Sequence, residues 1–164
     1  MATLIELCES HAIVEIDPGL GPADLKWRCL YGTPDFTRWL EEVLPTYPED
    51  HIHADLSPLE QVAACMMEYV LGEAFSTDRR FKKLKRTPSL DVWEMKTDDI
   101  RIFGWVPKKD AFVCCFGDLA TDVKLQGKYG RYMAQTTRVR QLLALDEPKF
   151  IGSEEYQDVI STKN

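Results

Sequence analysis

The chain has 164 residues and a mass of 18.8 kDa, the size of one domain. Hydrophobic residues make up 45% and charged residues 29%, enough to bury a core without disulfides or a structural metal. The net charge is −7, and the five cysteines include no Cys-x-x-Cys pair, which argues against a uniformly basic protein, a zinc finger and a secreted disulfide scaffold.

Residues 11–16 (HAIVEI) alternate weakly and stop at Asp17-Pro18-Gly19, which predicts a strand and a turn with His11 in the strand. Residues 25–31 alternate too, placing Leu25, Trp27, Cys29 and Tyr31 on one face before Gly32. Thr33-Pro34 has the chemistry of a helix start, and Phe36, Trp39, Leu40, Val43 and Leu44 follow at helical spacing until Pro45. Ser57-Pro58-Leu59-Glu60 is a second start, with an apolar stripe from Leu59 to Leu71. Helices are predicted near 34–44 and 57–75. Beyond Pro88, residues 91–96, 100–106 and 111–117 read as three strands joined by short polar turns. A last helix fits 129–145, with Tyr132, Val139, Leu142 and Leu143 inward and Arg131, Arg138 and Arg140 outward. The polar tail from Glu147 is expected to be loosely held.

These elements predict an α+β domain. Its sheet is small and mostly antiparallel, made of N-terminal strands and a three-strand meander. Two helices precede the meander and one follows. The expected divisions are an N-terminal strand extension at 1–23, the α+β domain at 24–145, and a polar C-terminal tail at 146–164. No apolar run approaches the roughly 20 residues that span a bilayer, so no membrane contact is expected. Acidic Glu6 and Glu9 do not suit a signal peptide, and a reduced, cytoplasmic protein is expected.

The charge is unevenly spread. Residues 1–78 hold three basic against fifteen acidic side chains, whereas residues 79–144 hold fifteen basic against seven acidic. Such a split suits either a polyanion-facing surface or halves that pair across the folded protein. The densest basic run is Arg79, Arg80, Lys82, Lys83, Lys85 and Arg86, a set able to neutralise phosphates or to end a helix. Lys96 and Arg101 flank the first meander turn, and pairing around Thr97–Asp99 brings them side by side. There they hold a phosphate or pair with Glu94, Asp98 or Asp99. His51 and His53, near Asp50 and Asp55, have metal-ligand spacing without an evident third ligand. Cys114-Cys115 lies in an apolar strand with no histidine nearby to activate a thiolate. Asp118 and Asp122 suit a metal or acid/base site, or a loop cap.

The segment FKKLKRTPSLDVWEMKTDDIRIFGWVPKKDAFVCCFG at 81–117 resembles the RelE/HigB-like toxin superfamily, including its phage-derived relatives. LKWRCLYGTPDFTRWLEEVL resembles the first strand and helix of that fold, and the resemblance extends over roughly residues 24–143. It implies a metal-independent endoribonuclease of a toxin–antitoxin system, without cofactor, that cleaves messenger RNA by 2′-OH attack on the adjacent phosphate. The matching positions are Lys96 and Arg101 at the scissile phosphate, with Lys124 or Tyr129 assisting proton transfer. The RNA-binding positions are Arg79, Arg80, Lys82, Lys83, Lys85, Arg86, Lys128 and Arg131. RNA or the ribosome and an antitoxin are the implied partners. The sequence departs from the pattern after Phe116, where Asp118 and Asp122 stand in place of basic residues. That departure and the acidic first 78 residues suit a second reading, a non-catalytic binding protein of the same fold, such as a phage or mobile-element inhibitor or regulator, whose acidic half meets a protein partner. A third reading is a metal enzyme using Asp118, Asp122 and the histidines, for which no complete ligand set can be placed.

Overall fold

The computed structural model describes residues 1–49, 55–77 and 79–164. Helix α1 (Leu4–Glu9) begins at a capping box, with Thr3 and Glu6 exchanging side-chain and backbone bonds. Strand β1 (Val14–Glu15) lies at one sheet edge beside β2 (Cys29–Gly32). Residues 1–23 thus bring a helix as well as the expected strand. His11 belongs to neither: it sits exposed in a turn with φ of 63°.

Thr33 caps α2 (Pro34–Arg38) by accepting a hydrogen bond from the Phe36 N–H. The helix widens into a π turn at Trp39–Val43 and tightens into a 3₁₀ turn at Leu44–Thr46, where Pro45 has no N–H to continue the ladder. Ser57 caps α3 (Pro58–Leu71), which ends at Gly72 in the left-handed conformation. Next come β3 (Phe81–Lys83), β4 (Trp93–Lys96), β5 (Ile100–Trp105) and β6 (Ala111–Leu119), then α4 (Ala120–Leu125), α5 (Tyr129–Leu142) and α6 (Tyr156–Val159).

The α+β class is as expected, but the sheet is neither small nor simply antiparallel. Its six strands run β1-β2-β6-β5-β4-β3, and β2 lies parallel to β6. The basic run, for which a helix end was one of two readings, supplies β3 instead, which extends the antiparallel run to four strands. The described residues form six α-helices, three before β3 and three after β6, rather than two and one.

Both sheet faces are covered. On one, α3 and the chain after α2 pack on Leu30, Ile100, Ile102, Phe112 and Cys114, with Val159 and Ile160 of the tail completing the layer. On the other, α1 packs on Tyr31, Val113 and Cys115, while α5 packs on Phe103 through Tyr132 and Met133. Cys114 and Cys115 therefore face opposite cores, and both are buried. Close packing fixes one glycine: a Cβ on Gly117 would stand 2.5 Å from the Trp39 ring.

Two expectations about the C-terminal third are corrected. In α5, Arg140 points inward and donates to the Leu90 and Asp91 carbonyls at 2.9 Å, whereas Leu142 is 74% exposed. The tail is held firmly. Arg28, with no exposed surface, donates to the Ser161, Tyr69 and Glu73 carbonyls, and Ser161 bonds Asp110 through both its N–H and its hydroxyl. A guanidinium matches several carbonyls at once, so Arg28 fixes the polar end of a tail whose Val159 and Ile160 are already buried in the core.

Candidate functional site

Strands β4 and β5 are short, β6 runs for nine residues, and the β5–β6 register shifts once between Phe103 and Gly104; on the Lys96 side of that shift, alternation assigns side chains to the two faces. Trp93, Met95, Ile100 and Ile102 face α3. Glu94, Lys96, Arg101 and Asp118 face the α5 side. The register pairs Lys96 with Arg101 and Arg101 with Asp118, and it sets Lys82 of β3 beside Glu94. The expected proximity of Lys96 and Arg101 is what the hairpin produces.

The two cations differ in setting. Arg101 is only 6% exposed. Its Nη1 donates to the carbonyls of Thr97 at 2.5 Å and Ile100 at 3.0 Å, so the guanidinium braces the hairpin that carries it. Its Nε is buried without a protein partner. Lys96 is half-buried. Burial lowers its pKa, and Arg101, Lys82 and Lys124 add to that against an opposing contribution from Glu94. Residues far apart in the chain thus converge here: Lys82 from β3, Lys96 from β4, Arg101 from β5 and Lys124 from α4.

Glu94 lies at the centre of this group. It has no exposed surface, and neither carboxyl oxygen makes a hydrogen bond of full geometry, although the Tyr129 hydroxyl lies against it and Lys96 feels its charge. Tyr129, at the start of α5, stacks edge-on against Phe103 with ring centroids 5.7 Å apart. Burial pushes its hydroxyl pKa up, and the Glu94 carboxyl pushes the same way. Burying a carboxyl without fully formed hydrogen bonds costs stability, which evolution tolerates mainly where a site needs it. From sequence, Glu94 was expected only as a pairing partner of Lys96 or Arg101. The available signal was a glutamate between Trp93 and Met95, flanked on both sides by core residues.

Asp118 is committed elsewhere. It accepts from the Tyr132 hydroxyl at 2.6 Å, the Lys128 ammonium at 3.1 Å and the Leu119 N–H at 2.8 Å. Burial alone would raise its pKa, but these hydrogen bonds outweigh burial and hold it below the usual value. Lys128 is thereby an ion-pair partner, and Asp118 ties β6 to α5.

The basic run divides between two sides of β3. Lys82 faces the α5 side, while Lys83 pairs with Asp91 at 2.8 Å. Arg80 pairs with Glu68 at 3.4 Å. Arg79, Lys85 and Arg86 are exposed, and Arg131 is exposed over the Tyr132 ring. A cavity of about 500 Å³ lies between β3 and α5, bordered by Lys82, Lys85 and Tyr129. A second, about 730 Å³, lies between α3 and the β4–β5 turn, bordered by Arg79, Arg80, Lys96 and Arg101. Both border the same cationic strands.

His51 and His53, with Asp50, fall outside the described residues. Among the described residues, no group of three or more histidine, cysteine, aspartate or glutamate side chains is placed to hold a metal ion. The Cys114 and Cys115 thiols are pushed to high pKa by burial, which suits core packing and not nucleophilic attack. No helix among the described residues is long and apolar enough to cross a membrane. Compared with protein-family models, curated proteins and solved structures, the chain has no match among any of the three.

Proposed function

We propose that the protein binds RNA on the α5 side of β3–β5 and cleaves it without a metal, as an endoribonuclease of the RelE/HigB-like kind. The observation that carries this reading is the convergence of Lys82, Lys96, Arg101 and Lys124 beside Tyr129. Clustered cations attract a phosphodiester and stabilise the charge that grows on it during attack. In the proposed reaction the 2′-oxygen attacks phosphorus and the P–O5′ bond breaks. The 2′-hydroxyl proton passes to water, and a 2′,3′-cyclic phosphate forms. Lys96 holds the phosphate, and Arg101 keeps the hairpin and its charge in place. Tyr129 or Lys124 gives a proton to the departing 5′-oxygen.

The test is inducible expression in a bacterial host, comparing wild type with Lys96→Ala and Tyr129→Phe. Growth arrest with messenger-RNA cleavage in the wild type, and neither in Lys96→Ala, supports the reading. A harmless wild type with intact RNA refutes it.

One observation favours a second reading. Asp118 occupies Lys128, and the hairpin carbonyls occupy Arg101, so two of the implied cations are engaged within the protein. This suits a non-catalytic binding protein of the same fold, acting on a protein partner through its acidic half. Recovery of a stable protein complex from the host, together with intact RNA, would favour it.

A further inference from the structure

Beyond the cationic cluster, the other side of β3 holds a cavity of about 440 Å³, bordered by Trp93, Tyr156, Lys85, Arg86 and Glu154. Trp93 is only 2% exposed and stacks on Phe81 at 4.8 Å, and Tyr156 meets the same Phe81 edge-on at 6.5 Å. The Trp93 indole N–H and the Tyr156 hydroxyl are both buried, and no protein group bonds either. Two unmet polar groups from neighbouring aromatic side chains are unusual in a folded protein, where nearly all such groups find partners. Lys85 and Arg86 stand exposed at the rim.

The combination is aromatic walls, buried donors without acceptors, one carboxylate and exposed cations. A planar, carbonyl-bearing ring attached to a phosphate matches each part. The ring packs against the aromatic walls, its carbonyl oxygen and a neighbouring ring nitrogen accept from Trp93 and Tyr156, an amino group donates to Glu154, and the phosphate meets Lys85 and Arg86, a set that guanine supplies. We propose that this cavity takes one nucleotide of an RNA strand, base inward and phosphate at Lys85 and Arg86. Lys82, Lys83 and Lys85 also border the cavity on the α5 side, so the strand continues over the sheet edge at β3 towards Lys96. The inference rests on the RNA reading above and adds a base-binding subsite to it.

The test uses calorimetry on the full chain with three probes: guanosine 5′-monophosphate, inorganic phosphate, and a five-nucleotide single-stranded RNA. The monophosphate is expected to bind at least about tenfold more tightly than inorganic phosphate, because the base adds stacking. The oligonucleotide is expected to bind more tightly still. Tyr156→Phe deletes only a hydroxyl and is expected to weaken monophosphate binding about threefold to tenfold, the worth of one hydrogen bond. Lys85→Ala with Arg86→Ala, both at exposed positions, is expected to weaken all three probes. Equal affinity for monophosphate and inorganic phosphate overturns the base pocket, as does unchanged binding in both variants. An oligonucleotide that binds no better than the monophosphate overturns its place on an RNA strand. Nucleotide binding without messenger-RNA cleavage defeats the nuclease reading and leaves the subsite standing; cleavage without nucleotide binding does the reverse.

Discussion

The two faces of strands β4, β5 and β6 are built from the same backbone and are opposite in chemistry. Towards α3 they present Met95, Ile100 and Ile102, sealed beneath a helix and the docked tail, with Trp93 at the border of the neighbouring cavity. Towards α5 they present Glu94, Lys96, Arg101 and Asp118, charged groups in or near the interior. The first face contributes stability through apolar burial. The second gives some of that stability up, because buried charge is costly unless fully paired, and Glu94 is not. Substitutions at Met95, Ile100 and Ile102 should therefore act on folding alone, and those on the α5 face on the proposed RNA binding as well as on stability.

The largest expected effect is on the α3 side. Arg28 is the only arginine wholly removed from solvent among the described residues, and burial lowers its pKa. Arg28→Met keeps bulk but orphans the carbonyls of Tyr69, Glu73 and Ser161. A loss of about 4 kcal/mol is expected in urea unfolding, as for other broken buried polar networks. The tail beyond residue 150 should also become cleavable by protease. A fully protected tail in the variant would show that apolar contacts alone hold it.

A smaller effect is expected where the α5 face ties itself together. Asp118→Asn removes the charge that binds Lys128 and the Tyr132 hydroxyl, and should cost about 2 kcal/mol at neutral pH. Because the folded-state pKa is depressed, this stabilisation is present above the ordinary aspartate range and fades as pH falls below about 4 through the lower folded value. The gap between wild type and Asp118→Asn should therefore close in acid. A gap that stays constant with pH would mean that shape rather than charge sets the contribution.

The sequence carried much of this, for identifiable reasons. Thr33-Pro34 and Ser57-Pro58 marked their helix starts because capping chemistry is local. The Lys96–Arg101 pairing followed from a short turn and a period of two. What stayed hidden depends on distant partners. The basic run became an edge strand because Lys82 and Lys83 pair with Glu94 and Trp93, which no local pattern announces. The tail docked because Arg28 reaches it from the other end of the chain. Arg140 turned inward to carbonyls at Leu90 and Asp91 that its own helix does not reveal. Glu94 was visible as a glutamate between core residues, but its complete burial beside Tyr129 is a property of the assembled sheet.

Glu94→Gln tests the cost of the charged face. The amide keeps the shape, brings donors and removes the charge at a place without solvent, where the carboxyl has only the Tyr129 hydroxyl and nearby cations to meet it. Stability is expected to rise by about 1 kcal/mol, and RNA cleavage to fall, the usual exchange when a strained site is relaxed. A destabilised variant would mean that the carboxyl balances the surrounding cations, and would move Glu94 from burden to brace.

The smallest effect sharpens the comparison most. Lys124→Ala lies on an exposed position of α4 and should change stability by less than about 0.5 kcal/mol. Its expected mark is on RNA alone, a fall of about 0.7 in the salt slope of single-strand affinity for each phosphate no longer neutralised. Lys96 adds a pH dependence to the same measurement. Its pKa lies below 10.5 because of burial and the neighbouring Arg101, Lys82 and Lys124, so its charge is lost at a lower pH than that of an ordinary lysine. RNA affinity should begin to fall in that alkaline range in the wild type and persist in Lys96→Arg, whose guanidinium stays charged. Bound RNA adds negative charge and resists deprotonation, so the decline should shift upward as RNA concentration rises. If wild type and Lys96→Arg decline together, the phosphate rests on other cations, and the α5 face must be divided again between what holds the sheet and what holds the ligand.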